Sequence, residues 1–146
     1  MRKMFLVILF VLCALLIGCT KKDTTDWTQS PTFTYENITM YGTEGKIGIV
    51  RVNGKPDEPG VLDFPATQGR LYEIYFFEQL NDMLGKDFKM EASLQDSDET
   101  VQLVKSVFWG SKTRAKFGFG QEGLWKITVT IDDKPYTSFI IQAEEI

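Results

Sequence analysis

From about residue 32 onward, apolar and polar residues alternate along much of the chain with a period of two, the spacing that buries one face of a β-strand and wets the other. Phe88, Met90, Ala92 and Leu94 alternate with Lys89, Glu91 and Ser93, and Trp125, Ile127, Val129 and Ile131 with Lys126, Thr128 and Thr130. Each run predicts a half-buried strand. β-Branched residues dominate 124–131, which disfavours a helix there. Further strands are predicted over 32–40, 46–52, 70–79, 101–109 and 136–142, with the aromatic-rich 70–79 as a central one. Val101, Leu103, Val107 and Trp109 share one phase of their strand, which places Lys105 among them. Residues 53–68 hold Gly54, Pro56, Pro59, Gly60 and Pro65 and read as a loop. Residues 81–85 read as a turn or a single helical turn, and 132–135 as a longer hairpin loop. About seven short strands without a long helix predict an all-β protein, a two-sheet β-sandwich over 32–146.

The start of the chain is different. Arg2 and Lys3 precede a nearly unbroken apolar run from Met4 to Ile17, too short for the ~20 residues of a spanning helix. This is the layout of a secretory signal peptide over 1–18. Leu16-Ile17-Gly18-Cys19 resembles the lipobox of bacterial lipoproteins. The resemblance implies cleavage before Cys19, a diacylglycerol on its thiol, and a domain tethered by lipid to the outer face of the cell membrane. The polar residues that follow, with Trp27 among them, predict a flexible tether over 19–31. Trp27 is the residue placed to dock on the domain.

Composition narrows the chemistry. Without 1–18 the chain has 128 residues, one domain's worth, and 14 basic against 20 acidic residues, a net charge of −6. That balance disfavours nucleic acid as a partner. Cys13 leaves with the signal peptide and Cys19 is committed to lipid, so no disulfide is available within the domain. The chain has no histidine, which rules out Ser-His-Asp and Cys-His catalysis and the usual zinc, copper and haem ligand sets. Carboxylate, lysine, tyrosine and hard-cation chemistry remain.

The stretch Gly123 to Tyr136, G-L-W-K-I-T-V-T-I-D-D-K-P-Y, is similar to the penultimate hairpin of bacterial immunoglobulin-like domains, where a G-x-W strand start precedes the last two strands. The chain as a whole resembles small lipoproteins of Gram-positive spore formers. The resemblance implies an immunoglobulin-like β-sandwich and carries over no catalytic residue.

Gly118-Phe119-Gly120-Gln121-Glu122-Gly123 matches G-x-G-x-x-G, but it precedes a strand, and phosphate cradling needs a helix there. It reads as an inter-strand glycine loop. Asp96, Asp98 and Glu99 read as a solvated acidic turn, with a weak calcium site as the alternative. Asp57-Glu58 and Asp132-Asp133 read as turns, because adjacent carboxylates cannot face each other across a sugar. The most suggestive feature is a charge asymmetry. Residues 100–121 contain no acid, but hold Lys105, Lys112, Arg114 and Lys116 beside Phe108, Trp109, Phe117 and Phe119. A basic, aromatic loop on an acidic body predicts a binding surface of Trp109, Lys112, Arg114 and Lys116 for an envelope protein or anionic wall polymer. The alternative is a soluble basic loop whose aromatics fill the core. Lys105 reads either as a buried amine of altered reactivity or as an edge-strand lysine that discourages association. The expectation is a monomeric, non-catalytic binding module with no cofactor and no metal. Two rivals are an inhibitor or regulator of an envelope enzyme, presenting loop 53–68, and a carboxylate- or lysine-dependent hydrolase.

Overall fold

The computed structural model describes residues 24–52, 59–78 and 80–146. The predicted signal peptide at 1–18, Cys19, the first part of the predicted tether, residues 53–58 with Asp57-Glu58, and Gln79 lie outside the described residues. The described chain forms β1 (Phe33–Tyr35), β2 (Ile38–Thr43), β3 (Ile47–Arg51), β4 (Arg70–Phe76), a helical turn α1 (Leu80–Met83), β5 (Asp87–Leu94), β6 (Thr100–Val107), β7 (Lys112–Phe117), β8 (Gly123–Ile131) and β9 (Lys134–Ala143). One sheet runs β1-β2-β3-β4-β7, the other β6-β5-β8-β9, and every neighbouring pair is antiparallel. This is a β-sandwich, as the alternation predicts.

Its core is the inward phase of the strands. Ile47 and Ile49 of β3, Tyr72, Ile74 and Phe76 of β4, Phe88, Met90 and Ala92 of β5, and Trp125, Ile127 and Val129 of β8 meet between the sheets. Trp125 is fully enclosed, and its indole N–H donates to the Gln121 carbonyl at 3.1 Å, so the buried polar atom is satisfied. The crossing segment 63–67 closes one end of the sandwich. Phe64 and Ala66 drop into the core, and parallel bridges tie Pro65 to Glu144 and Ala66 to Phe119.

Four features depart from the sequence pattern. Residues 32–40 are not one strand but the hairpin β1-β2, because Glu36 and Asn37 take left-handed conformations (φ 47° and 63°) and close a two-residue turn. The β8-β9 loop is likewise shorter than expected. Asp132 and Asp133 (φ 49° and 60°) make the whole turn, and Ile131 already faces Lys134. Lys105 is not on the apolar face. Against β5, Val104 pairs with Met90 and Gln102 with Glu91, so Leu103 is an extra residue that flips the phase beyond it. Lys105 is therefore exposed, opposite Lys89, on an edge strand. Finally, 112–116 is not a loop but strand β7, which pairs with β4.

Residues 24–31 lie on the domain. The Lys126 ammonium donates to the Thr25 hydroxyl at 3.0 Å, the Ser30 N–H donates to the Ile140 carbonyl at 2.9 Å, and Trp27 sits beside Ser93, Asp96 and Thr100. This half of the predicted flexible tether is held against the outer surface of the four-stranded sheet.

Candidate functional site

Lys112, Arg114 and Lys116 come together because β7 is a strand. Its alternation turns Thr113, Ala115 and Phe117 inward and leaves the three cations exposed on the outer face of the five-stranded sheet. Their cross-strand partners on β4 are Tyr75, Glu73 and Leu71. Glu73 organises the cluster. The Arg114 Nε donates to Glu73 Oε2 at 2.7 Å, the Lys112 ammonium lies 3.3 Å from Oε1, and the Tyr75 hydroxyl donates to the same oxygen. The Lys112 ammonium also stands over the Tyr75 ring, 5.3 Å from its centroid. Lys116 has no ion-pair partner among the described residues.

These contacts set the local electrostatics. Burial by itself would raise the Glu73 carboxyl, but hydrogen bonds from Tyr75, Arg114 and Lys112 outweigh it and hold Glu73 below the usual carboxylate range. The Tyr75 hydroxyl is pushed up to about 12, first by burial and then by its bond to the Glu73 anion. The face thus carries three cations against one firmly ionised acid.

Beyond Tyr75 the same outer face is aromatic. Phe33, Tyr35 and Phe77 pack there, with Tyr35 and Phe77 centroids 4.8 Å apart. Gly48, which pairs with Tyr75, leaves the space that Met40 and Phe33 fill; a Cβ would stand 2.5 Å from the Met40 sulfur. Met40 is buried, yet it lies outside the main core. The β1-β2 hairpin therefore builds a small second apolar layer next to the basic strand.

Trp109 lies just before β7 and is 79% exposed. Its neighbour Phe108 is pinned inward by two backbone bonds, its N–H to Lys86 O at 2.8 Å and its carbonyl to Gly85 N at 2.9 Å, and alternation then turns Trp109 out. Leu84 and Val107 are exposed at the same end. A notch of about 70 Å³ opens beside Trp109, lined in part by Phe76, Phe88, Lys112 and Thr113.

The other sequence candidates are placed separately. Asp96, Asp98 and Glu99 form the β5-β6 turn, beside a hollow of about 740 Å³ shared with Trp27. Among the described residues no three potential metal ligands converge. Gly118 to Gly123 joins β7 to β8, with no helix after it. Among the described residues no helix is long and apolar enough to cross a membrane.

Sequence reasoning missed two clusters. One is Glu73 with Tyr75, whose meeting with β7 depends on a pairing that no local pattern encodes. The other closes the sandwich end: the Tyr41 hydroxyl donates to Asp63 Oδ2 at 2.8 Å, Arg51 pairs with Oδ1 at 3.5 Å, and the Tyr72 hydroxyl donates to the Asp63 carbonyl at 2.7 Å. The one available signal was Arg51 itself, a charge in the inward phase of a strand.

No protein-family model and no curated protein matches the chain. Among solved structures, the chain is similar to the crystal structure of a Putative Lipoprotein from Bacillus anthracis, with 18% identity and a TM-score of 0.65 over 88% of this chain and 94% of that one. At that identity the likeness is one of fold.

Proposed function

We propose that this chain is a lipid-anchored module of the bacterial cell envelope, held to the outer face of the membrane through Cys19, that binds an anionic envelope component and is not an enzyme. One observation carries the binding reading. Lys112, Arg114 and Lys116 stand exposed in one row on a molecule whose net charge is negative, next to the exposed indole of Trp109. The lipobox-like Leu16-Ile17-Gly18-Cys19 and the description of the similar fold as a lipoprotein support the anchoring. The strand order supports an immunoglobulin-like reading. β3-β4-β7 facing β6-β5-β8-β9 follows A-B-E against C′-C-F-G, with β1-β2 as an added hairpin.

Two measurements test this. Cys19→Ala should abolish incorporation of labelled fatty acid and leave residues 1–18 uncleaved; undiminished incorporation would end the anchoring proposal. Reversing Lys112, Arg114 and Lys116 to Glu should weaken attachment to envelope material in a salt-dependent manner. Identical binding before and after reversal would remove this face from consideration.

A further inference from the structure

We propose that the free edge of β7 accepts an extended acidic segment of a partner protein as an added strand. This rests on the reading of the basic row as a contact surface and names its occupant.

The argument begins with how each sheet edge is finished. An open edge invites pairing, and proteins blunt it with short strands, bulges, proline or a covering segment. β1 has only three residues. β6 carries the bulge at Leu103 and the exposed Lys105. β9 has Pro135 beside a register irregularity, and Ser30 covers it through two 2.9 Å bonds with the Ile140 backbone. Among the described residues β7 is guarded by its exposed cations alone, which, like Lys105 on β6, repel a like-charged edge and attract an acidic one. It runs six residues in unbroken register, Tyr75 to Lys112 through Arg70 to Phe117, without proline or bulge, and among the described residues nothing pairs with its other side.

Backbone geometry then decides what β7 offers. The Phe76 N–H donates to the Ser111 carbonyl at 2.8 Å, which marks the hydrogen-bonded pairs with β4. In an antiparallel ladder such pairs recur every second residue, so Thr113, Ala115 and Phe117 bond to β4. The N–H and C=O groups of Lys112, Arg114 and Lys116 therefore point away from the sheet. The same three residues carry the cations. A strand added about 4.8 Å away would set alternate side chains beside Lys112, Arg114 and Lys116 on the outer face.

Charge selects the occupant. A second copy of β7 would bring like charges together and be repelled, whereas a segment with Asp or Glu at every second position is attracted. An anionic wall polymer would meet the charges but leave the six peptide groups unused.

Titration of the full chain with a labelled peptide alternating Glu with Val and Thr separates these occupants. The peptide should bind and should slow amide exchange at Lys112, Arg114 and Lys116. N-methylation of the peptide's alternate backbone amides, in either register, should weaken binding at least tenfold with the protein unaltered. Arg114→Pro should weaken it a further tenfold beyond Arg114→Ala, because both lose the charge and only proline loses the outward N–H. Equal binding of the methylated and parent peptides, or binding of a wall polymer alone without amide protection, would overturn strand addition and leave the basic face standing. Failure of both peptide and polymer to bind would overturn both readings.

Discussion

Asp63 meets Arg51 and two tyrosines, Glu73 meets two cations and one tyrosine, and burial of their partners separates their worth. The Arg51 side chain is 6% exposed, whereas Lys112 and Arg114 are 51% and 60% exposed. Replacing Asp63 with Ala removes the acceptor of the 2.8 Å Tyr41 bond and weakens the support of a buried guanidinium, so a loss of about 2 kcal/mol is expected in urea unfolding. Glu73→Gln should cost under about 1 kcal/mol, because its partners are solvated. The pH behaviour follows from direction alone. Glu73 is held below its ordinary range, so its contribution is present above the unfolded carboxylate value and fades as pH falls through the lower folded one. Tyr75 shows the opposite sign: its neutral form is favoured, and that stability is lost as pH climbs from 10 toward about 12. Tyr72 and Tyr136 are raised as well, the first by burial and then the Asp63 charge, the second by burial and then Glu78. In an alkaline titration followed by phenolate absorbance, Tyr72, Tyr75 and Tyr136 should therefore ionise late.

At the level of elements, what was legible in the sequence was whatever a single strand encodes by itself. The half-buried strands β5 and β8 and their inward residues were readable because alternation alone dictates which face is dry. The bulge at Leu103 was not, since it depends on the register with β5, and one unpaired residue reverses every side chain beyond it. β7 was hidden for a related reason. A strand whose outer residues are Lys, Arg and Lys and whose inner ones include Thr and Ala has too little apolar contrast to announce itself. Of the candidate site, Trp109, Lys112, Arg114 and Lys116 could be named from the sequence, but Glu73 and Tyr75 came only with the pairing of β4 and β7. The turn at Asp132-Asp133 supplies a prediction: both residues hold left-handed conformations, so Asp133→Gly should raise stability by about 0.5 kcal/mol in thermal unfolding. Deleting Leu103 should straighten β6 into a regular edge and promote self-association, which light scattering would register.

Over the whole molecule, two sheets close on Trp125, and truncation of that side chain to Ala should cost about 3 to 5 kcal/mol in the same unfolding measurement. The docking of residues 24–31 has a larger consequence. With lipid on Cys19, just five residue steps separate the bilayer attachment from Thr24, a leash of at most about 18 Å. Trp27 is lodged beside the β5-β6 turn. β5 then rises eight residues, about 26 Å, to the pole where Trp109 sits. On the proposed anchoring through Cys19, Trp109 would stand at the pole farther from the lipid, where a partner could reach it without meeting the bilayer.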